Sequence, residues 1–430
     1  MAYVAVSGGK EAIEESIRLL DYYRSGTDKD IETEAIENKL SLLVDRVMSE
    51  AGLYSRAYAA LALKQCEGGV EEAVFLLRDY RSTLPRVYYT NVVNTSDMRV
   101  VRRISAAFKD IAGGQILGAT YDYTHRLINF DLDKENPAEL RKTMLDTLRS
   151  HVPVEVAACP RVSEELKNEG LIDRFSEDDR PPHDVTTNML EFPVDRSARL
   201  QTLSRADTGF ISGIAYSALR GFGQVHPTVG ELRCGYVELT IPYPYPHHDH
   251  DPDPTPDPAP GSDPDPTPDP DLTPNLGSGS DPDPAPGLDP DPTPDPAIDP
   301  GSAPSSDPDP APDSEPDPYP YSEDDCIYIG EILITEVECF NHADDKGQLK
   351  LAVGYGAVFG RNENKAISMA VIDHELNCAG PYPAQDEEFV LTHGDSLEMN
   401  GFISHLKLPH YVTFQSKLDA VRKTRRAGDE

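Results

Sequence analysis

The sequence predicts an α+β protein. A mostly helical N-terminal domain over residues 1–95 is followed by a mixed α/β core domain made of residues 96–243 and 326–430. A disordered Asp/Pro-rich insert at 244–325 interrupts that core. Three observations carry this prediction. Apolar residues recur at helical spacing through most of the first 85 residues. Alternating runs such as Leu232, Val237, Leu239 and Ile241 read as strands. Residues 244–325 hold 27 of the chain's 39 prolines and 22 acidic residues, with no Lys or Arg, a composition that cannot enter a sheet or build a core.

The insert dominates the whole-chain charge. The 430 residues carry −36, and taking away the insert's 22 negative charges leaves −14. A moderately acidic remainder argues against non-specific nucleic-acid binding. Six cysteines without a CxxC pattern fit reduced thiols. No apolar run reaches the length of a membrane span, and the first residues have no signal-peptide pattern. The expectation is a cytoplasmic protein with no nucleic acid and no membrane among its partners.

Residues 2–6 read as a short strand, and Ser7-Gly8-Gly9-Lys10 as a turn into a helix from Glu11 to Tyr23. Free N–H groups at such a turn bind anions, which makes Lys10 a candidate phosphate contact. An ordinary strand-to-helix turn is the plainer alternative. A second helix spans 32–50, with Ile36, Leu40, Leu43 and Val47 along one face. Ser55 caps a third, to about Cys66, and Val70, Ala73, Val74 and Leu77 carry a fourth.

Thr95-Ser96-Asp97 reads as a helix N-cap. The helix it predicts places Arg99, Arg102 and Arg103 at i, i+3 and i+4 on one face. Three guanidiniums there suit a polyphosphate, and pairing with the abundant carboxylates is the alternative. Gly113 and Gly114 suit close approach of backbone to a ligand, and the polar run after them offers His125 as an acid–base group. Residues 137–152 read as helix, 158–190 as an irregular surface connection, 196–206 as helix and 231–241 as strand.

Beyond the insert, 327–329, 332–334 and 349–353 read as strand. Gly354-Tyr355-Gly356 through Gly360 reads as a glycine-rich turn opening a helix from about Asn362 to Leu376. Gly354 and Gly356 are therefore candidate phosphate contacts, although no Walker lysine follows. Asp386-Glu387-Glu388 is a solvated acidic turn, or a source of a general acid if one member is buried. His405 and His410 flank a loop containing Pro409, which argues against one continuous helix. A strand end and tight loop would aim both rings at one point, at a spacing used by zinc sites. A packed, hydrogen-bonded pair is the alternative. A basic helix over 411–427 follows.

Several separated blocks point one way together. They are Asp45-Arg46-Val47-Met48, Thr83-Leu84-Pro85-Arg86, Arg102-Arg103-Ile104-Ser105, Gly113 to Gly118 with Tyr123-Thr124-His125-Arg126, Gly354-Tyr355-Gly356, Gln385 to Phe389, and His405 to His410. In this order they resemble the PhnI family, the α-D-ribose 1-methylphosphonate 5-triphosphate synthase subunits of the carbon–phosphorus lyase core complex. The resemblance covers most of residues 2–243 and 326–427, and the insert splits a region that is continuous in the family.

The resemblance implies a reaction in phosphonate catabolism. An alkylphosphonate displaces adenine from C1′ of MgATP, with this chain as a nucleosidase component and transferase acting beside sister subunits. It implies Mg2+ carried with ATP, self-association in a two-fold assembly, and contact with the iron–sulfur radical lyase subunit. It also implies Zn2+ held by His405 and His410 at the interface with that subunit. Substitution at an anomeric carbon passes through an oxocarbenium-like state and needs a protonated leaving group. His125, Asp386, Glu387 and Glu388 are the candidate acids. Two other roles remain open: a scaffold that lends a metal site to the lyase subunit, and a stand-alone zinc phosphohydrolase, which would need more ligands than one histidine pair.

Overall fold

The computed structural model describes residues 9–26, 29–150, 159–173, 180–243, 326–345, 348–408 and 410–428. Among these residues it has thirteen α-helices and one four-stranded sheet, so the α+β prediction holds.

The first helices are α1 (Gly9–Ser25), α2 (Thr33–Lys39), α3 (Ser41–Ala51), α4 (Arg56–Gln65) and α5 (Val70–Thr83). The single helix predicted over 32–50 is two. Leu40 leaves helical geometry at φ −108°, ψ 35°, and the bend lets Ile36 share a core with Val44, Val47 and Met48. The predicted cap at Ser55 is present, its Oγ accepting from Tyr58 N at 3.3 Å. Leu63, Val74 and Leu77 complete this core. α1 adds nothing to it: no residue of α1 is buried, and Ile13, Ile17 and Leu20 are more than half exposed. The strand predicted at 2–6 lies outside the described residues.

The strands β1 (Arg99–Ile104), β2 (Thr228–Pro242), β3 (Cys326–Asp345) and β4 (Gln348–Phe359) pair in chain order, antiparallel throughout. Arg99–Ile104 is thus a strand, not the predicted helix. Val100, Val101 and Ile104 are β-branched and favour pleated backbone. Thr95–Asp97 is a single 3₁₀ turn capped by Asn94, and it ends there. A bulge between Val100 and Arg102 shifts the register, and adjacent Arg102 and Arg103, on opposite faces of the strand, are both buried because both faces are covered there. The glycine turn predicted at 354–356 is also absent: both residues lie inside β4, and the turn comes at Gly360, with φ +70°.

The remaining helices are α6 (Pro137–Arg149), α7 (Val162–Asn168), α8 (Arg196–Arg205), α9 (Thr208–Ser217), α10 (Glu363–Glu375), α11 (Glu387–His393), α12 (Ser396–His405) and α13 (Tyr411–Gly428). α7 falls in a stretch predicted irregular. Its Val162 and Leu166 pack with Phe340, and that burial fixes a helix short of any strong local signal.

The two faces of the sheet differ. Leu232, Val337, Cys339 and Val358 pack against Met369, Val371 and Ile372 of α10, with Leu203, Ile211 and Val390 around them. The alternate residues are charged: Glu231 stands opposite Glu338, and Arg233 opposite Glu336. Arg103 pairs with Glu231 at 2.5 Å, Arg161 with Glu338 at 2.5 Å, and Arg233 with Glu336 at 3.4 Å. No helix among the described residues is long and apolar enough to cross a membrane.

β2 and β3 form one ladder that runs out to Pro242 opposite Cys326. Residues 243–325 therefore occupy the position of a hairpin loop. The disorder predicted for 244–325 lies outside the described residues. Replacing 246–322 with a short Gly-Ser linker should leave the fold intact. Shortening a loop of roughly eighty residues to roughly ten removes closure entropy worth about 2 kcal/mol, so the thermal midpoint should hold or rise by a few degrees. A fall of many degrees by calorimetry would show that the insert packs on the rest.

Candidate functional site

Two adjoining cavities, of about 410 and 440 Å³, lie where the start of α3, the loop from Ala119 to Arg126, β1 to β3 and the start of α10 meet. Ala119, Arg361 and Glu363 line both. Each falls in the size range of small-molecule sites.

The local chain explains the cleft. β4 ends at Phe359, Gly360 turns, and α10 begins after Asn362. The first N–H groups of a helix lack intrahelical partners and attract anions. Arg361 stands on this turn, its backbone N–H donating to Asp45 Oδ2 at 3.0 Å. Asp45 is fully buried and also accepts from Arg56 at 2.7 Å. One buried carboxylate therefore positions two cations that line the second cavity.

Arg102 forms part of the same wall. It is 3% exposed, reaching Asp122 at 2.7 Å and Glu363 at 2.6 Å, and it donates to the Leu117 carbonyl. Gly118 lets the loop close on β1. Its φ is +63°, and a Cβ there would stand 2.7 Å from Val101 O. Tyr54 and Tyr236 line the second cavity, Tyr121 and Arg126 the first. Arg99 lies over the Tyr236 ring at 4.4 Å while pairing with Glu331 at 2.6 Å. Guanidiniums, ring faces and two carboxylates in one cleft equip it for a polyanion that carries a flat base. Lys365 also contributes to the first cavity. It is 1% exposed and donates to Ser49 Oγ at 3.0 Å, and burial pulls its pKa down to about 7, against the opposing pull of Glu50.

The predicted site residues are dispersed. Only Arg102 of the three arginines lines the cleft. Arg99 is at its rim, and Arg103 is on the charged face of the sheet, donating to Pro160 O at 2.6 Å and Gly114 O at 3.2 Å. Gly113 and Gly114, at φ +79° and +75°, make the turn that Arg103 holds. Gly354 and Gly356 face α10, where a Cβ would run into the backbone at Ala370 and Ala366. They admit a helix rather than a phosphate. Lys10 is exposed on α1, 3.5 Å from Glu14. His125 is exposed beside Arg126.

Asp386 caps α11, accepting from Phe389 N at 2.9 Å. Glu387 pairs with Arg199 at 2.9 Å and accepts from Val194 N at 3.1 Å. Glu388 is in the first turn of α11. None of these three lines either cavity. His405 ends a helix, not a strand. Its ring lies 5.5 Å from that of His410, and its Nδ1 donates to Phe402 O. Among the described residues no group of three or more His, Cys, Asp or Glu is arranged to hold a metal ion.

Sequence reasoning missed Arg56, Asp122, Arg361, Glu363, Lys365 and the tyrosines. The available signal was the strand–glycine–helix junction, predicted over Gly354 to Gly360, of which only Gly360 makes the turn.

A cationic, tyrosine-lined cleft thus lies at a strand-to-helix turn of an α+β chain. The family described as "Bacterial phosphonate metabolism protein (PhnI)" matches residues 2–251 and 318–428. A putative C–P lyase subunit protein, HtxH, of Stutzerimonas stutzeri is 38% identical over 435 residues, covering 99% of this chain and 96% of that protein. The α-D-ribose 1-methylphosphonate 5-triphosphate synthase subunits PhnI of Rhizobium meliloti (strain 1021) and Escherichia coli (strain K12) are 37% and 36% identical, over 99% and 98% of this chain and 96% and 98% of theirs. The chain belongs to the PhnI family.

Lys365 makes a test of the cleft's wall. Its folded pKa, about 7, lies below the model-peptide value of 10.5. The folded state therefore binds fewer protons between those values, and stability rises with pH across that window. Urea unfolding at pH 7, 8 and 9 should show the wild type gaining on Lys365→Met as pH rises. A constant difference would mean that Lys365 is charged when folded.

Proposed function

We propose that this chain is the subunit of the carbon–phosphorus lyase system that binds MgATP and carries the displacement of adenine by an alkylphosphonate. The observation that supports this most is the cleft at the start of α10, where Arg56, Arg102 and Arg361 surround two carboxylates and tyrosine rings. In this proposal the triphosphate lies against the N-terminus of α10, Arg361 and Arg126. The adenine stacks near Tyr236 and Tyr54. Asp122 and Glu363 are placed to share the Mg2+ that travels with the nucleotide, since Mg2+ is held by one or two carboxylates plus phosphate oxygens.

The chemistry then follows from positioning. A phosphonate oxygen forms a bond to C1′ as the C1′–N9 bond breaks, and the electron pair leaves with the purine. Positive charge develops on the sugar, and the leaving base needs a proton. His125, beside Arg126 at the rim, remains a proposed donor. Asp386, Glu387 and Glu388 act, in this proposal, through the seating of α11 and Arg199 rather than at the sugar.

The histidine pair suits a shared Zn2+. The two rings lie 5.5 Å apart, near enough that both would reach one ion. The His405 Nδ1–H bond to Phe402 O would leave Nε2 to hold a metal, since a ligating histidine donates its other N–H to a carbonyl or carboxylate. Two ligands leave the ion incomplete, so the others come from a sister subunit or water. Phe402, Ile403, Leu406 and Tyr411 around the pair are more than half exposed, an apolar surface suited to the lyase subunit. The exposed stripe of α1 suits self-association in the same way.

Arg361→Gln should raise KM for ATP roughly 10- to 100-fold, as expected for loss of a charge-assisted phosphate contact. The readout is adenine release by the purified chain, with and without its sister subunits. An unchanged KM would remove the triphosphate from α10, and no purine release in either case would favour a scaffold.

For the metal, His405→Ala and His410→Ala should each lower the zinc content of the purified complex while adenine release is retained. Full zinc in both variants would refute the ligand role.

A further inference from the structure

A third cavity, of about 260 Å³, shares no residue with the nucleotide cleft. Its lining includes Arg81, Arg205 and Thr186 together with the apolar Ile334, Val358 and Phe359, and the two arginines meet beside Gly52. Neither arginine has an ion-pair partner among the described residues. Arg205 Nε is buried without a hydrogen-bond partner, and its Nη1 reaches only Val185 O at 3.5 Å. Arg81 Nη1 donates to Ala51 O at 2.9 Å and Gly52 O at 3.3 Å, which are neutral acceptors.

The nearby carboxylates are committed elsewhere, Asp184 to Arg86 and Asp395 to Arg78 at 2.5 Å. Burial, then the like charges of Arg78 and Arg81, pull the Arg205 pKa down to about 10. Burial and Arg78 lower that of Arg81 as well. Gly52, at φ +64°, makes the gathering possible, because a Cβ there would stand 2.8 Å from Arg81 Nη1 and 3.2 Å from Arg205 Cδ. Two uncompensated guanidiniums facing an apolar wall are complementary to an anion with a charged head and a short tail.

We propose that this cavity is a binding site, separate from the nucleotide cleft, for a small doubly charged oxyanion bearing a short alkyl group. The head sits between Arg81 and Arg205, and the alkyl group lies on Ile334, Val358 and Phe359. Phosphonates and phosphate monoesters share this chemistry.

The test is calorimetric binding to the purified full chain of inorganic phosphate, methylphosphonate, butylphosphonate and butyl phosphate. Both butyl compounds should bind more tightly than methylphosphonate, and methylphosphonate more tightly than phosphate. Tighter binding of butylphosphonate than of butyl phosphate would identify phosphonates as the source, and the reverse would identify esters. Arg205→Gln and, as a second variant, Arg81→Gln should each weaken butylphosphonate binding tenfold or more and leave ATP binding unchanged. No binding of any oxyanion, or unchanged binding in both variants, overturns the site. Equal binding of phosphate and butylphosphonate overturns the apolar seat. Loss of butylphosphonate binding in Arg361→Gln but not in Arg205→Gln would place the ligand in the nucleotide cleft and overturn the separate site.

Discussion

α10 lies on β4 at a distance that only glycine permits. Gly354 and Gly356 face the helix backbone at Ala370 and Ala366, and a methyl group at either would push the helix off the sheet. Overpacking of this kind costs about 1–3 kcal/mol, or more where backbone must move. Much else hangs from this contact. Asp373 of α10 accepts from Tyr355 N at 2.9 Å on the free edge of β4 and pairs with Arg196 at 2.7 Å. Glu375 accepts from Gln224 N and Val225 N, both at 3.1 Å, and so fixes the loop into β2. At its other end α10 offers Arg361, Glu363 and Lys365 to the cleft. Sequence, sheet packing and site geometry are therefore one constraint: the glycines set the depth of the helix, and the depth sets where its N-terminus points.

The charged face of the sheet is a second, costlier device. Arg103, Arg233, Glu231 and Glu336 are each no more than 2% exposed. Buried pairs of this kind return little net stability, because desolvation offsets most of their attraction. Their geometry is nevertheless directional. Arg103 spans Glu231 and the carbonyls of Gly114 and Pro160. It thereby ties β2, the loop from Gly113 to Gly118, and the lead into α7. The same loop carries Asp122 to Arg102. Two adjacent arginines, on opposite faces of one strand, thus serve the sheet and the cleft respectively.

Much of the fold was legible in the sequence, and the failures have definable causes. Helical periods found α4, α5, α8 and α10 because those helices bury apolar residues or obey clear caps, and found α1 from apolar spacing alone, although none of it is buried. The strand β1 was misread because arginines at i, i+3 and i+4 mimic a helical face. The β-branched Val100 and Val101 between them carried the better signal. Gly354 and Gly356 were misread because glycine marks both turns and close packing, and a single sequence does not separate the two. The histidines were singled out by spacing, and their rings do lie close, 5.5 Å apart. Their helix end was missed because Pro409 was taken to exclude helix before it as well as through it. The cleft residues come from distant segments, and Asp45, Asp122 and Arg361 meet only through the β1–β2 and β3–β4 ladders. No local pattern joins them.

The insert follows from the same ladders. Tyr236 stands opposite Leu333 beside the cleft, whereas Pro242 stands opposite Cys326 at the far end, about 20 Å along the strands. The acidic segment is thus joined to the sheet at the end of the β2–β3 ladder remote from Tyr236. Because the paired strand ends are held side by side, the closure entropy of added chain at this connection grows only slowly with length. A comparable insertion between β4 and α10 would separate Gly360 and Arg361 from Asp45 and dismantle the cleft. The interruption of the family match between residues 251 and 318 thus falls at a connection where added chain disturbs neither the seat of α10 nor the site it presents.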